Sequence, residues 1–342
     1  MATAERITWI DFAKGFAIIS VVLGHALDDD FPLCTLIYIF HMPFFFILAG
    51  YLLNLDKWGG AKNFRNFLTK LFKRLLVPYY LANILFFPIW FVVCHELGYL
   101  HYFWEWCTYK PLDSLAEIFI GDGTNLVLGQ LWFLPTLFFT QIILIFLYNH
   151  LIKIGAKIFL FAVAIVSCTG FVIKNFFLLP IGLDIAFAMQ IFLLAGILIR
   201  RHKVLDKMDF KLCGALILIL LGVFYFNETI DVNTRIYGNP LLFYAGGIAG
   251  SLLVMKFSML MTDGKIFSLI SDCGRQSMMI LVLHSIIFNV AYEIIVDALN
   301  FPAEKIFTDT AVIFFVTTAG ILIPLFVAKK FGRLPVLKNF CA

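Results

Sequence analysis

The 342-residue sequence is 62% apolar and 14% charged, with 40 Phe against 22 Asp plus Glu, whereas soluble domains hold roughly 45–50% apolar and about 25% charged residues. That much apolar surface cannot be hidden inside one water-soluble globule, so lipid must solvate most of it; the same composition and the long uninterrupted apolar runs exclude a coiled coil, a disordered chain, a disulfide-stapled secreted module and an outer-membrane barrel. A net charge of +4 and seven widely spaced cysteines with no CxxC pair give no support to nucleic-acid binding, a disulfide framework or a metal site.

Apolar stretches of about 20 residues, enough to cross a bilayer of about 30 Å, lie at 7–27, 33–53, 71–94, 131–149, 156–175, 182–200, 210–226, 240–260, 276–297 and 308–330. They predict an all-α integral membrane protein, a bundle of about ten transmembrane helices forming one polytopic domain over 1–342 with no separate soluble domain. If both termini face the cytoplasm, all of the 26 Lys and Arg except Lys110, Lys174, Arg235 and Lys305 fall on the inner side. The expected topology is therefore N-in and C-in. The expected location is a cell membrane, the bacterial inner membrane first.

Arg6, the apolar run Phe16 to Leu23 and Gly24-His25-Ala26 imitate a secretory signal. Asp11 within the positive region, and nine further spans that need the first for their orientation, weigh against cleavage. The first span also carries three ionisable groups, which in lipid mark a site facing the bundle interior. At 100° per residue Asp11, Lys14 and His25 share a face, with His25 about 16 Å above Lys14. Asp11 and Lys14 can neutralise each other, or act only as an anchor at the inner interface. His25 is followed by Asp28, Asp29 and Asp30, which read either as part of the same polar stripe or as a solvated turn.

In the second span, His41 precedes Pro43, which removes a backbone donor. His41 is thus either a site residue or a partner for the backbone that Pro43 loosens. Lys70, Lys73 and Arg74 precede the third span. Positions 70 and 74 share a helix face, where two cations can meet a phosphate; the same cluster is what inner-side positive charge produces by itself. The connection from about 95 to 130, with His95, Glu96, His101, Trp104, Glu105, Trp106 and then Trp132, is either a functional loop or an aromatic belt at the headgroups. Asp184, Gln190, His284 and Asn289 add polar groups that could converge on a cavity.

Together these residues resemble the membrane acyltransferase-3 family, in particular its fucose or hexose O-acetyltransferase branch. Arg6-x4-Asp11-x2-Lys14-Gly15 with Val21-Val22-Leu23-Gly24-His25 looks like the family's first-helix signature, and Phe40-His41-Met42-Pro43-Phe44-Phe45-Phe46 running to Gly50-Tyr51-Leu52 resembles its second helix. Lys70-x2-Lys73-Arg74-Leu75-Leu76-x-Pro78-Tyr79 is similar to its basic motif. Leu131-Trp132-Phe133-Leu134, Leu183-Asp184-Ile185-Ala186 to Gly196, and Gly274-Arg275-Gln276-Ser277 through His284 match in order. Lys stands at 14 where the family often has Arg, and Lys70-x2-Lys73 with adjacent Arg74 stands in for its frequent Arg-x-x-Arg; Lys cannot grip a phosphate bidentately.

The resemblance implies acyl transfer from acetyl-CoA, or another acyl-CoA, to a hydroxyl of a sugar, glycan or lipid-linked saccharide at the membrane, with no metal. It implies His25 as general base with Asp11 and Lys14 beside it, Lys70, Lys73 and Arg74 on the donor phosphates, and His41, Trp132, Asp184 and His284 toward the substrate. Membrane lipids are the other expected partner. Two further classes fit ten spans with intramembrane charge. One is a small-molecule or proton-coupled transporter, which Pro-broken helices suit but for which no matching halves are visible. The other is a non-catalytic membrane sensor domain.

Overall fold

The computed structural model describes residues 8–58, 61–100, 110–121, 127–334 and 337–340. Arg6, His101, Trp104, Glu105 and Trp106 lie outside the described residues. Within them the chain is helical, and the β contact is an isolated bridge between Asp231 and Ile236. In chain order the apolar helices are α1 (Thr8–Ala26), α2 (Pro32–Leu52), α3 (Asn63–Glu96), α4 (Gly129–Leu151), α5 (Ala156–Ile173), α6 (the bent pair Pro180–Ala188 and Gln190–Arg201), α7 (Phe210–Phe226), α8 (Pro240–Leu260), α9 (Ser277–Ala298) and α10 (Thr310–Phe331). Each predicted span has its counterpart. Eight are long and apolar enough to cross a membrane; α6 reaches that length only when its halves, bent by 51°, are taken together, and α7 is a shorter apolar helix. The architecture is a multi-pass membrane helical bundle.

Burial separates the centre from the periphery. Two-thirds of the apolar windows of α1 and α2 are buried (67% each) against 22% for α5. Phe161 on α5, Leu218 and Phe226 on α7 and Phe314 on α10 are exposed, the apolar outer surface that lipid requires. α1 packs against α2, α8, α9, α10 and a short amphipathic helix, Lys265–Arg275.

Two close crossings fix the centre. A Cβ on Gly15 would strike the carbonyl of Ile270, and one on Gly274 the carbonyl of Asp11. Gly50 and Gly196 stand in the same reciprocal relation to Leu193 and Ile47 where α2 meets α6. Small residues let backbones approach this closely when lipid supplies no hydrophobic drive between helices.

α2 continues as a helix through Pro43. His41 does not repair the backbone there: its Nδ1 lies 3.0 Å from the carbonyl of Ile37, one turn back, whereas the carbonyl left without an N–H by Pro43 belongs to Ile39.

Candidate active site

A cavity of about 850 Å³ opens among α1, α2, α3, α4 and α9 and the loop between α7 and α8. Its charge follows the residue order along α1. Lys14 lines it first, His25 stands eleven residues or about 16 Å farther along, and Asp28 and Asp29 line it just past the helix end. Lys73 and Arg74 from α3, and Arg275 just before α9, join Lys14. Asp231, Asn233 and Thr234, from the α7–α8 loop, join Asp28 and Asp29. The cavity thus has a cationic end and an acidic end, with histidine between. Burial, and then Asp231, Asp28 and Asp30 around it, push the Asp29 carboxyl above its usual value.

Aromatic rings form the middle. His25 packs edge-on to Tyr38 with centroids 6.5 Å apart, and Tyr38 meets His41 at 4.7 Å. On its other side His25 stacks on His284 of α9 at 5.5 Å. His41 and His284 are buried, while His25 is partly exposed to the cavity. Among the described residues no group of three or more His, Cys, Asp or Glu is spaced to hold a metal ion.

Of the residues singled out in the sequence, Lys14, His25, His41, Lys73, Arg74 and Trp132 line this cavity. Five others are placed elsewhere. Asp11 is buried where α1 crosses the helix Lys265–Arg275 and does not line the cavity. The ammonium of Lys70 lies 5.9 Å from the centre of the Trp58 ring, a cation–π contact that draws it off the cavity. Asp184 is 0% exposed and forms a two-point ion pair with Arg235, 2.8 Å to Nε and 3.2 Å to Nη2. Arg235 Nη1 also donates to the carbonyl of Asn233 at 2.7 Å, so Asp184 braces the loop that carries the cavity's Asp231, Asn233 and Thr234. His284 stands behind His25, off the cavity wall. Gln190 likewise turns inward, donating to the carbonyls of Ala186 and Thr140.

Sequence reasoning passed over Tyr38, Gln130, Asp231, Thr234 and the role of Arg275, all of which line the cavity. Arg275 had a readable signal, a cation at the mouth of a span, and it pairs with Asp272 three residues before it. Gln130, polar at the head of an apolar run, had a weaker one. Tyr38 is one of many aromatics and had none.

A family model described as an acyltransferase domain, of the acyltransferase-3 type, matches residues 7–329. No curated protein and no solved structure matches the chain.

Proposed function

The chain belongs to the acyltransferase-3 family and fits a membrane acyltransferase, and from that premise we propose that it moves an acetyl or other acyl group from acyl-CoA to a hydroxyl of a sugar, glycan or lipid-linked saccharide. The observation that carries this reading is one continuous cavity that joins a cationic end, through His25, to an acidic end. Lys14, Lys73, Arg74 and Arg275 suit the phosphates of the donor through charge-assisted hydrogen bonds. From there the thioester arm spans the roughly 16 Å of α1 between Lys14 and His25.

His25 takes the proton of the acceptor hydroxyl as its oxygen attacks the thioester carbonyl. The carbon–sulfur bond then breaks, the acyl group stays on the acceptor oxygen, and the CoA thiolate leaves and is protonated. The cationic end faces the cytoplasm in this reading, where acyl-CoA is found, and the membrane is the bacterial inner membrane.

The test is direct. Purified protein in detergent, given labelled acetyl-CoA and a panel of glycans and lipid-linked sugars, should produce labelled acceptor. If no acceptor is labelled, while the same protein in liposomes exchanges a labelled solute by counterflow, the acyl-transfer reading gives way to transport.

A further inference from the structure

His25 draws its support from another helix. The ring of His284 lies against it with planes 22° from parallel and centroids 5.5 Å apart. His284 is wholly buried, and its Nδ1 lies 2.9 Å from the carbonyl of Ile280. A carbonyl only accepts, so Nδ1 carries the hydrogen, and the neutral ring leaves Nε2 bare. That Nε2 has no hydrogen-bond partner among the described residues. The hydrogen bond to its own helix fixes the ring's rotation, and Phe288 packs edge-on to it at 5.8 Å.

The turn of α9 that carries His284 is fixed in its own right. The amide nitrogen of Gln130, in the opening turn of α4, lies 3.0 Å from the carbonyl of Leu281, 3.2 Å from that of Val282 and 2.8 Å from Ser285 Oγ. Two of these partners are carbonyls, so the nitrogen must face α9 and the amide cannot be flipped. Gln130 thereby clamps α9 on both sides of His284, and it does so across more than 150 residues of sequence.

We propose that His284 is a positioning residue for His25: its face holds the imidazole toward the cavity and stacks on the imidazolium formed when the acceptor hydroxyl gives up its proton, and Gln130 sets the α9 turn that presents it. This rests on His25 being the base. A neutral aromatic face against a cation out of water lowers the barrier to forming that cation, an effect on the order of tenfold in rate. It acts in the transition state, so it belongs to kcat.

The experiment compares His284→Phe, which keeps a ring face, with His284→Leu, which fills the site without one, and His284→Asn, which keeps a donor for Ile280 but no face. Gln130→Met and the double variant His284→Leu/Gln130→Met complete a cycle, with His25→Ala alongside. Turnover is measured per monodisperse, acyl-CoA-binding molecule. The expected result is a fall of about tenfold in kcat for the Leu and Asn variants with both KM values within about twofold, recovery of most of the loss in His284→Phe, and little further loss when Gln130→Met is added to His284→Leu.

Normal kcat in both the Leu and Asn variants, or a Phe variant no better than they are, overturns the positioning role. Full multiplication of the two losses in the double variant overturns the part given to Gln130. If His25→Ala itself turns over normally, the base reading falls and the inference falls with it, whereas an inactive His25→Ala beside normal His284 variants removes the inference alone.

Discussion

Three imidazoles gather about the middle of the cavity: His25 and His41 line it, and His284 stands behind His25. His41 and His284 each have Nδ1 near a carbonyl of their own helix and are buried, while His25, half-buried, is the most open of the three to the cavity. His25→Ala should leave insertion and acyl-CoA binding intact and lower kcat by about 10²-fold or more, the scale of a positioned base; a packing histidine would instead reduce the yield of folded protein with turnover per folded molecule preserved. At the acidic end, Asp29 permits a pH test. Its carboxyl is held above its usual value, so between the unfolded and folded values the folded protein binds the extra proton. Stability therefore falls as pH rises through that window, and the loss is complete above the folded value. Asp29→Asn should raise the thermal midpoint at neutral pH by about 1–2 °C, a small effect because the side chain is exposed. The gain should shrink toward zero below the ordinary carboxylate value, at about pH 3; an equal gain at both pH values would mean the charge is not its source.

Elements show why some of the site was legible and some was not. The spans could be read because hydropathy is a property of the local run, and Lys14 and His25 fall on one cavity because helical phase is local as well. Partners chosen by the tertiary fold leave no such trace. Asp184 finds Arg235 51 positions away, Lys70 turns to Trp58 on the preceding short helix, and His284 reaches His25 across the bundle. Phase alone put Lys70 and Arg74 on one face; the structure divides them, with Lys73 and Arg74 on the cavity and Lys70 off it. This division makes a prediction at the level of α3. Lys73→Ala combined with Arg74→Ala should raise the KM for acyl-CoA several-fold with little change for the acceptor, because phosphate contacts act in ground-state binding. Lys70→Ala should leave both constants near wild type. A donor KM that responds to Lys70 as strongly as to the pair would return the site to the pattern read from sequence alone.

At the scale of the whole molecule, the order of charges along the cavity gives the proposed reaction a direction. Lys14, Lys73, Arg74 and Arg275 crowd one end, and Asp28, Asp29 and Asp231 the other. A polyanionic donor is attracted by the first and repelled by the second, since the low-dielectric walls of a cleft focus such fields. The same cations belong to the segments that carry the excess of Lys and Arg, which the positive-inside rule assigns to the cytoplasm. In the proposed function, the charge bias and the donor end therefore fall on the same side. In sealed vesicles of defined orientation, acyl-CoA added to the side bearing Lys73 and Arg74 should support transfer, and acyl-CoA confined to the opposite side should not. The sidedness itself can be read separately, from reporters fused after Lys203, expected in the cytoplasm, and after Asn233, expected outside. If the reporters agree with the charge bias but transfer runs equally from either side, the cationic end only orients the protein, and the donor path through the bundle is wrong.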